Sequence, residues 1–232
     1  MLAMRKAQDR GHANHGWLDS YHTFSFGGYY DPRHMGISNL RVINDDTVAP
    51  GGGFSEHGHS DMEIISYVLD GALEHRDSMG NGSVIRPGDV QRMSAGTGVT
   101  HSEYNHSSAE PVHFLQIWLQ PNAFGVDPGY DQKHFPLEDR RGRWVLLVSP
   151  DGRDGSIATH QDALMYSAVL APGETLGYRF DPERQGYVHL ARGALRVGNV
   201  VMRQGDGLRL QKHELLELVG LEDAEILLFD LP

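Results

Sequence analysis

Residues 50–73 read PGGGFSEHGHSDMEIISYVLDGAL, and a diverged copy of this segment lies 122 residues further along the chain. The matches run in the same order in both copies. They are Gly51 with Gly173, Val68 with Leu190, Gly71-Ala72-Leu73 with Gly193-Ala194-Leu195 and, after a five-residue deletion, residues 88–93 with residues 205–210. Ordered self-similarity of this kind indicates a duplicated structural unit. The sequence therefore predicts two copies of one domain.

Short strand-like runs separated by turn signals dominate the whole chain. The runs are residues 40–44, 63–69, 113–119, 144–148, 165–170, 187–190 and 226–230. The 28 glycines and 11 prolines suit the tight turns that many short strands require. We therefore expect an all-β protein made of two β-barrel, jelly-roll-like domains, the first over residues 1–130 and the second over residues 131–232. Residues 121–141 are rich in Pro, Gly and charge and are predicted to connect the two.

Composition excludes several classes of function. Asp and Glu total 31 against 20 for Lys and Arg, and the resulting net charge of −11 argues against a nucleic-acid partner. The absence of cysteine excludes disulfides and thiolate metal sites. No run approaches the roughly 18 apolar residues of a membrane span, and the first ten residues lack the apolar stretch of a secretory signal. These features predict a cytoplasmic protein without a membrane or nucleic-acid partner.

Two short strings carry paired metal-ligand side chains at alternate positions: His57-Gly58-His59 and His101-Ser102-Glu103. On a β-strand, alternate side chains project from the same face. If the two strands lie against one another, three imidazoles and one carboxylate converge. That donor set suits one divalent transition metal and selects weakly among Fe, Co, Ni, Cu, Mn and Zn. The predicted ligands are therefore His57, His59, His101 and Glu103, with open coordination positions typical of catalytic sites.

Most of the 14 histidines lack a partner at ligand spacing, and His75 and His113 stand alone on predicted strands. The second copy also lacks the ligand set. In the alignment of the two halves, the four ligand positions fall, in order, on Arg179, Asp181, Leu218 and Gly220. We therefore expect metal in the first domain only and a structural role for the second.

These strings resemble the two motifs of the cupin superfamily. Gly51, His57, His59, Glu63 and Gly71 match the first motif, with one extra residue before the last glycine. The second motif is matched by Gly88, Gly96, His101 and Asn105, with Ser94 in place of its proline and two extra residues before the histidine. These three departures are typical of the pirins.

The N-terminal string of residues 16–26, GWLDSYHTFSF, also resembles the opening of pirins, and within that family the chain is similar to bacterial pirin-like quercetinases. The resemblance implies two cupin barrels packed face to face, with metal in the N-terminal one. It also implies that the carboxylate ligand is Glu103, as in pirins. Glu63, the carboxylate ligand of most other cupins, then either supports the site from outside the metal sphere or is a plain strand residue.

The function implied by the resemblance is that of a dioxygenase that opens the heterocycle of a flavonol such as quercetin with release of carbon monoxide. Fe(II) is the favoured metal, and Glu103 would take the proton of the flavonol 3-hydroxyl. Phe24, Phe26 and Met93 are candidates for the wall of an apolar slot, although a core role is favoured for each. Two alternatives stay open: a regulatory pirin that binds a protein partner, with a structural or redox-sensing metal, and, less favoured, a sugar-phosphate isomerase.

Overall fold

The computed structural model describes residues 2–211 and 215–232, and nearly all of its regular structure is β-strand. The strands in chain order are β1 Leu2–Arg5, β2 Gly11–Asn14, β3 Leu18–His22, β4 Leu40–Val48, β5 Gly53–His59, β6 Glu63–Asp70, β7 Leu73–Asp77, β8 Gly82–Ile85, β9 Asp89–Ser94, β10 Val99–Asn105, β11 Val112–Leu119, β12 Gly129–His134, β13 Val145–Ser149, β14 Ile157–Ala158, β15 Leu164–Leu170, β16 Thr175–Arg179, β17 Gln185–Arg192, β18 Ala194–Val197, β19 Val200–Arg203, β20 Gly207–Gln211, β21 Leu215–Gly220 and β22 Ala224–Leu231. One helical turn, α1 (Leu137–Arg140), and two 3-10 turns (Ala7–Asp9 and Arg153–Gly155) complete the elements. Each predicted run overlaps a strand, which confirms the all-β prediction.

The chain divides into two compact units. The first, called the N-terminal barrel below, comprises residues 11–134 together with residues 159–161. The second, the C-terminal barrel, comprises residues 2–10, 135–158, 162–211 and 215–232. The division falls four residues after the predicted boundary at residue 130. Residues 2–10 group with the second half because β1 pairs with β20. The described residues include no helix long and apolar enough to cross a membrane.

Each barrel is built from one seven-stranded and one four-stranded sheet. In the N-terminal barrel the strand orders are β12-β9-β6-β11-β4-β3-β2 and β5-β10-β7-β8. In the C-terminal barrel they are β1-β20-β17-β22-β15-β13-β14 and β16-β21-β18-β19. The five inner strands of the large sheets and all four strands of the small sheets match position by position, so the duplication predicted from the sequence is present in the topology. The edge strands differ, because β2 pairs antiparallel with β3 whereas β14 pairs parallel with β13. β12 lies within residues 121–141, which were predicted to be a connection, because it adds an edge strand to β9.

Glycine is needed at matching positions of the two copies for the same structural reason. Gly71 joins β6 to β7 with φ of +78°, and Gly193 joins β17 to β18 with φ of +75°. Both values lie in the left-handed region that favours glycine. A Cβ on Gly71 would also lie 2.6 Å from the carbonyl oxygen of Pro111. The turn therefore excludes any side chain at this position.

The strand register corrects the sequence alignment of the ligand positions. Leu73 pairs with Asn105 in one barrel, and its counterpart Leu195 pairs with Gly220 in the other. The structural counterparts of Glu103 and His101 are therefore Leu218 and Leu216, two residues earlier than predicted. A bulge in β5 makes Tyr178 the counterpart of His57, and hence Phe180 that of His59. The conclusion that the second copy lacks the ligand set is unchanged.

Candidate metal centre and active site

Two antiparallel strands, β5 and β10, bring three imidazole rings together in the N-terminal barrel. His57 lies directly opposite His101 in the strand register, and the Nε2 atoms of these two residues are 3.1 Å apart. The ring of His59 lies 4.8 Å from that of His57 and 4.9 Å from that of His101. Each ring offers a nitrogen within 4.8 Å of a nitrogen on the other two. The structure therefore places these three predicted ligands around one point.

A β-bulge controls the position of Glu103 relative to this cluster. His101 pairs with His57, but Glu103 pairs with Phe54, so three steps along β5 match two steps along β10. A bulge of this kind places one extra residue in one strand and leaves the alternation of the other intact. Glu103 and His101 consequently share the inner face of β10, and each is only 1% exposed.

The Glu103 carboxylate is held by two polar side chains of the large sheet. Ser66 donates a hydrogen bond to Oε1 at 3.2 Å, and the Gln116 side-chain amide donates one to Oε2 at 2.8 Å. A carboxylate oxygen of Glu103 also lies within 4.8 Å of nitrogens on His101 and His75. The candidate donors thus form two groups, one of His57, His59 and His101 and one of His75, His101 and Glu103. Because His101 belongs to both, it connects Glu103 to the imidazole cluster.

His75 is a member of the cluster that sequence reasoning missed. It lies directly across from Glu103 in the β10–β7 pair and is completely buried. Its Nε2 is 3.1 Å from a carboxylate oxygen of Asp77, while Nδ1 is 3.5 Å from the Gln91 amide nitrogen. In the sequence, Asp77 is the only possible ligand two residues away from His75. The pairing of β7 with β10 that brings His75 to Glu103 cannot be predicted from the spacing of neighbouring residues.

Burial sets the protonation of these side chains. It lowers the pKa of His59 to about 4 and that of His101 to about 3, helped in both by the neighbouring His57. Burial also raises the pKa of Glu103 to about 7, against the opposing effect of the hydrogen bonds from Ser66 and Gln116. At neutral pH the His59 and His101 rings are therefore unprotonated, which is the form that binds metal ions.

The donor set fits a divalent metal ion. His57 Nδ1 lies 2.8 Å from the carbonyl oxygen of Ser55, so this nitrogen carries the hydrogen and Nε2 is free to coordinate. This Nε2 faces the Nε2 of His101. The buried Nδ1 of His101 has no hydrogen-bond partner among the described residues. Neutral imidazoles beside a buried carboxylate are the ligands that divalent first-row metals accept.

A row of polar side chains crosses the large sheet of the N-terminal barrel behind Glu103. Its members are directly paired neighbours on β3, β4, β11, β6 and β9, in the order His22, Asn44, Gln116, Ser66 and Gln91. Each of these residues is at most 9% exposed. Polar side chains in a core are costly unless they bind one another or a ligand. Three members of the row contact Glu103 or His75, so the row supports the cluster.

The C-terminal barrel has lost this row together with the ligands. The paired residues at the corresponding positions are Leu146, Tyr166, Leu228, Val188 and Leu208. Four of them are buried, and the partly buried Tyr166 packs against the same apolar core. Leu216, Leu218 and Phe180, the counterparts of three ligands, belong to that core as well. The polar row and the cluster are therefore present together in one barrel and absent together from the described residues of the other.

Glu63 lies outside both groups of candidate metal donors. It is completely buried, and its carboxylate accepts hydrogen bonds from Thr159 at 2.7 Å and Ser94 at 2.9 Å. The backbone N–H of His160 donates a third bond at 3.4 Å. Glu63 thus anchors residues 159–161 to the N-terminal barrel, a role that its motif position alone does not indicate.

A cavity of about 830 Å³ opens beside the cluster. Its aromatic lining consists of Trp17, Phe26, Tyr29, Phe54 and Trp118. Its polar lining includes Ser20, Asn44, Asp46, Gln116 and Glu103, and the imidazoles of His57 and His59 also line it. Phe26 is the one predicted wall residue among these. Phe24 and Met93 are buried instead, Met93 in a small apolar cluster with Ile64.

A cavity of this volume accommodates a small organic molecule. Two β-barrels with the same strand order, one of them holding three imidazoles and a carboxylate beside such a cavity, define a two-domain cupin. Residues 3–119 match the family model described as Pirin, and residues 146–231 match the model described as Quercetinase C-terminal cupin domain. The chain belongs to the pirin family.

Relatives align over nearly the whole length of the chain. It is 47% identical to the quercetin 2,3-dioxygenase of Escherichia coli K12, with 100% of this chain and 99% of the relative covered. It is 44% identical to a pirin-like protein of Caulobacter vibrioides over 97% of this chain and 98% of the relative. A crystal structure of the E. coli bacterial pirin YhhW in complex with nickel(II) is 46% identical with a TM-score of 0.95, covering 100% and 99% of the two chains.

Proposed function

We propose that this protein is a metal-dependent dioxygenase that cleaves the heterocycle of a flavonol, with His57, His59, His101 and Glu103 as the metal ligands. The observation that carries the proposal is the position of Glu103. This carboxylate has a pKa raised to about 7 and lines an aromatic-walled cavity beside three imidazoles. The names of the relatives, the E. coli quercetin 2,3-dioxygenase and the nickel-bound YhhW, support the same assignment.

The cavity suits a flat aromatic substrate. Phe54 and Trp17 meet edge to face at 5.1 Å, and Phe26 meets Trp118 in the same way at 5.4 Å. These aromatic faces exclude water and offer stacking surfaces for planar rings. Trp118 also lies 5.1 Å from the ring of His59, so the aromatic wall continues to the imidazole cluster. A flavonol seated here would present its 3-hydroxyl to Glu103.

Glu103 is placed to take that proton. An ionised carboxylate at the metal can accept the proton of the 3-hydroxyl, while a bound cation would favour the resulting substrate oxyanion. Gln116 and Ser66 hold its two oxygens in place, so the carboxylate does not need to reorganise. A bound divalent ion, for which Fe(II) is our favoured candidate, would act as a Lewis acid toward the substrate oxygen and mediate electron transfer to dioxygen. The overall reaction consumes one flavonol and one O₂ and yields one depside and one CO.

The test is turnover of quercetin by protein loaded separately with each first-row divalent metal. Loss of flavonol absorbance, oxygen consumption and carbon monoxide release should agree in a 1:1:1 ratio. Glu103→Gln should lower kcat/KM by about 10²–10⁴-fold, the usual contribution of a general base. Glu56→Gln is the matched control, because Glu56 lies on β5 with its side chain exposed. Absence of turnover with every metal, despite a filled site, would contradict the proposal, and a stoichiometric protein partner would then favour the regulatory alternative.

A further inference from the structure

We propose that Asn44 and Asp46 form a hydrogen-bonding subsite that binds hydroxyl groups on the substrate other than the one presented to Glu103. The subsite would make the protein prefer polyhydroxylated ligands over ligands of the same shape that lack those hydroxyls. This inference rests on the proposed function, because it concerns the ligand of the same cavity.

The first observation is the state of two buried oxygens. Asn44 and Asp46 are each 2% exposed, and both line the cavity. Asn44 Oδ1 and Asp46 Oδ1 have no hydrogen-bond partner among the described residues. Buried oxygens without a donor are uncommon and cost free energy in the folded state. A ligand hydroxyl that donates to them would remove that cost.

The second observation is how the strand holds the two side chains. Asn44 and Asp46 are alternate residues of β4 and therefore share its inner face. Ser20, directly opposite Asp46 on β3, hydrogen-bonds the Asp46 carboxylate. One Asp46 oxygen is thus fixed by protein, while the other remains for a ligand. The two orphan oxygens are presented by a central strand of a seven-stranded sheet, so the subsite is rigid.

The third observation is the order of groups along the barrel. On β11, Phe114, Gln116 and Trp118 are alternate residues that mark three successive levels. Asp46 pairs with Phe114 at the first level. Gln116 pairs with Asn44 and bonds Glu103 at the second, and Trp118 contacts His59 at the third. A ligand that reaches from the imidazoles past Glu103 arrives at Asp46.

The chemistry of the lining assigns the ligand class. The cavity that Asn44 and Asp46 line also has apolar surface, which Leu18, Trp17 and Phe54 provide. Two acceptors in a cavity that also offers aromatic surface select an aromatic ring that carries hydroxyl groups. A site built to bind a hydroxyl discriminates strongly against the analogue that lacks it, since its own polar groups are then left unpaired.

Binding of two flavonols to zinc-loaded protein tests the subsite without turnover. Quercetin carries hydroxyls on both outer rings, whereas 3-hydroxyflavone retains only the 3-hydroxyl. Quenching of tryptophan fluorescence under anaerobic conditions gives each Kd. We expect quercetin to bind at least tenfold more tightly to wild type. Asp46→Ala should weaken quercetin about tenfold, which corresponds to the loss of one hydrogen bond, and should leave 3-hydroxyflavone within about twofold.

Asp45→Ala is the matched control, because Asp45 is adjacent on β4 but faces the other side of the sheet, where it bonds His113. Asn44→Ala repeats the test at the second oxygen if Asp46→Ala does not fold. Equal weakening of both flavonols, no change for either, or no quercetin binding to wild type would overturn the subsite. Selective binding without turnover would instead contradict only the dioxygenase proposal, and turnover without selectivity would contradict only the subsite.

Discussion

Gln116 donates a hydrogen bond from its side-chain amide to Oε2 of Glu103 at 2.8 Å, joining the middle of the seven-stranded sheet to the edge of the imidazole cluster. The bond stabilises the ionised form of Glu103 and so opposes the effect of burial on its pKa. The reactivity of this carboxylate therefore depends on a residue from a different sheet.

Removing the Gln116 amide should move the pH dependence of catalysis. In Gln116→Leu the pKa of Glu103 rises, because the ionised form loses a donor worth about 1.5 kcal/mol, or about one pH unit. A base must be ionised to act, so the acid limb of the kcat/KM profile should shift upward by about that amount. Ser66→Ala should shift the limb in the same direction. A profile that keeps its position while the rate falls would contradict the role assigned to this bond.

Replacement by alanine should lower mainly the stability of the protein at Glu63 and mainly its metal affinity at Glu103. Glu63→Ala leaves Thr159 and Ser94 without their acceptor and should lower the free energy of unfolding by about 3 kcal/mol. The variant should still bind one metal ion per chain. Glu103→Ala should cost less stability, because burial already disfavours the charged form of this carboxylate and raises its pKa to about 7. It should lose metal affinity by at least about 100-fold, the upper end of the loss seen for residues that support a ligand. Chemical denaturation together with metal analysis distinguishes the two. Retained metal in Glu103→Ala and lost metal in Glu63→Ala would reverse the assignment.

Metal binding should release a proton from Glu103. With a pKa of about 7, this carboxyl is protonated at pH 6 and must ionise to coordinate. His59 and His101, with pKa values of about 4 and 3, have no proton to release there. Wild type should therefore release about one proton more than Glu103→Gln at pH 6, and the difference should disappear at pH 8. Calorimetric titration with zinc in buffers of different ionisation enthalpy measures it. The same difference at both pH values would count against Glu103 as a ligand.

The stability of the metal-free protein should depend on pH through buried groups of two opposing kinds, represented here by Asp46 and His101. Burial raises the pKa of Asp46 from 3.8 to about 7, so the folded state holds a proton that the unfolded state releases between these values. Asp46 therefore destabilises the fold increasingly as pH rises from 4 to 7. His101 acts in the other direction: its pKa is lowered from 6.5 to about 3, so stability is lost as pH falls below 6.5.

Single substitutions separate the two groups. Relative to wild type, Asp46→Asn should gain stability with rising pH between 4 and 7 at up to about 1.4 kcal/mol per pH unit. His101→Asn should show the opposite slope within pH 3 to 6.5. Asp31→Asn is the control, because its pKa is lowered to about 2 by Arg33 and its effect lies below pH 4. Urea denaturation across this range gives the slopes, and parallel curves for the three variants would refute the linkage.

The sequence predicts those features that depend on local spacing. The pairs His57/His59 and His101/Glu103 are alternate residues, and alternate residues on a strand share a face whatever the strand pairs with. The repeat likewise predicts two all-β domains, because the turn at Gly71 and Gly193 needs the same left-handed glycine in both copies. Both predictions require no knowledge of which strands become neighbours.

Features that depend on strand neighbours were not predicted. His75 reaches Glu103 only through the pairing of β7 with β10, and Glu63 meets Thr159 across 96 positions of chain. The one-residue bulge in β5 and the different loop lengths shifted the alignment of the ligand positions between the barrels. Metal coordination by the four predicted residues stays a prediction, which the titrations above address.

The apolar interior of the C-terminal barrel makes its divergence from the ancestral copy effectively irreversible. Four ligand positions are occupied by Tyr178, Phe180, Leu216 and Leu218, and the five positions of the supporting row are occupied by apolar or aromatic side chains. Any one reversion would bury a lone polar group without its partners, at a cost comparable to a large part of a domain's stability. Natural selection acting one substitution at a time would thus remove each intermediate, and chemistry in this lineage stays confined to one barrel.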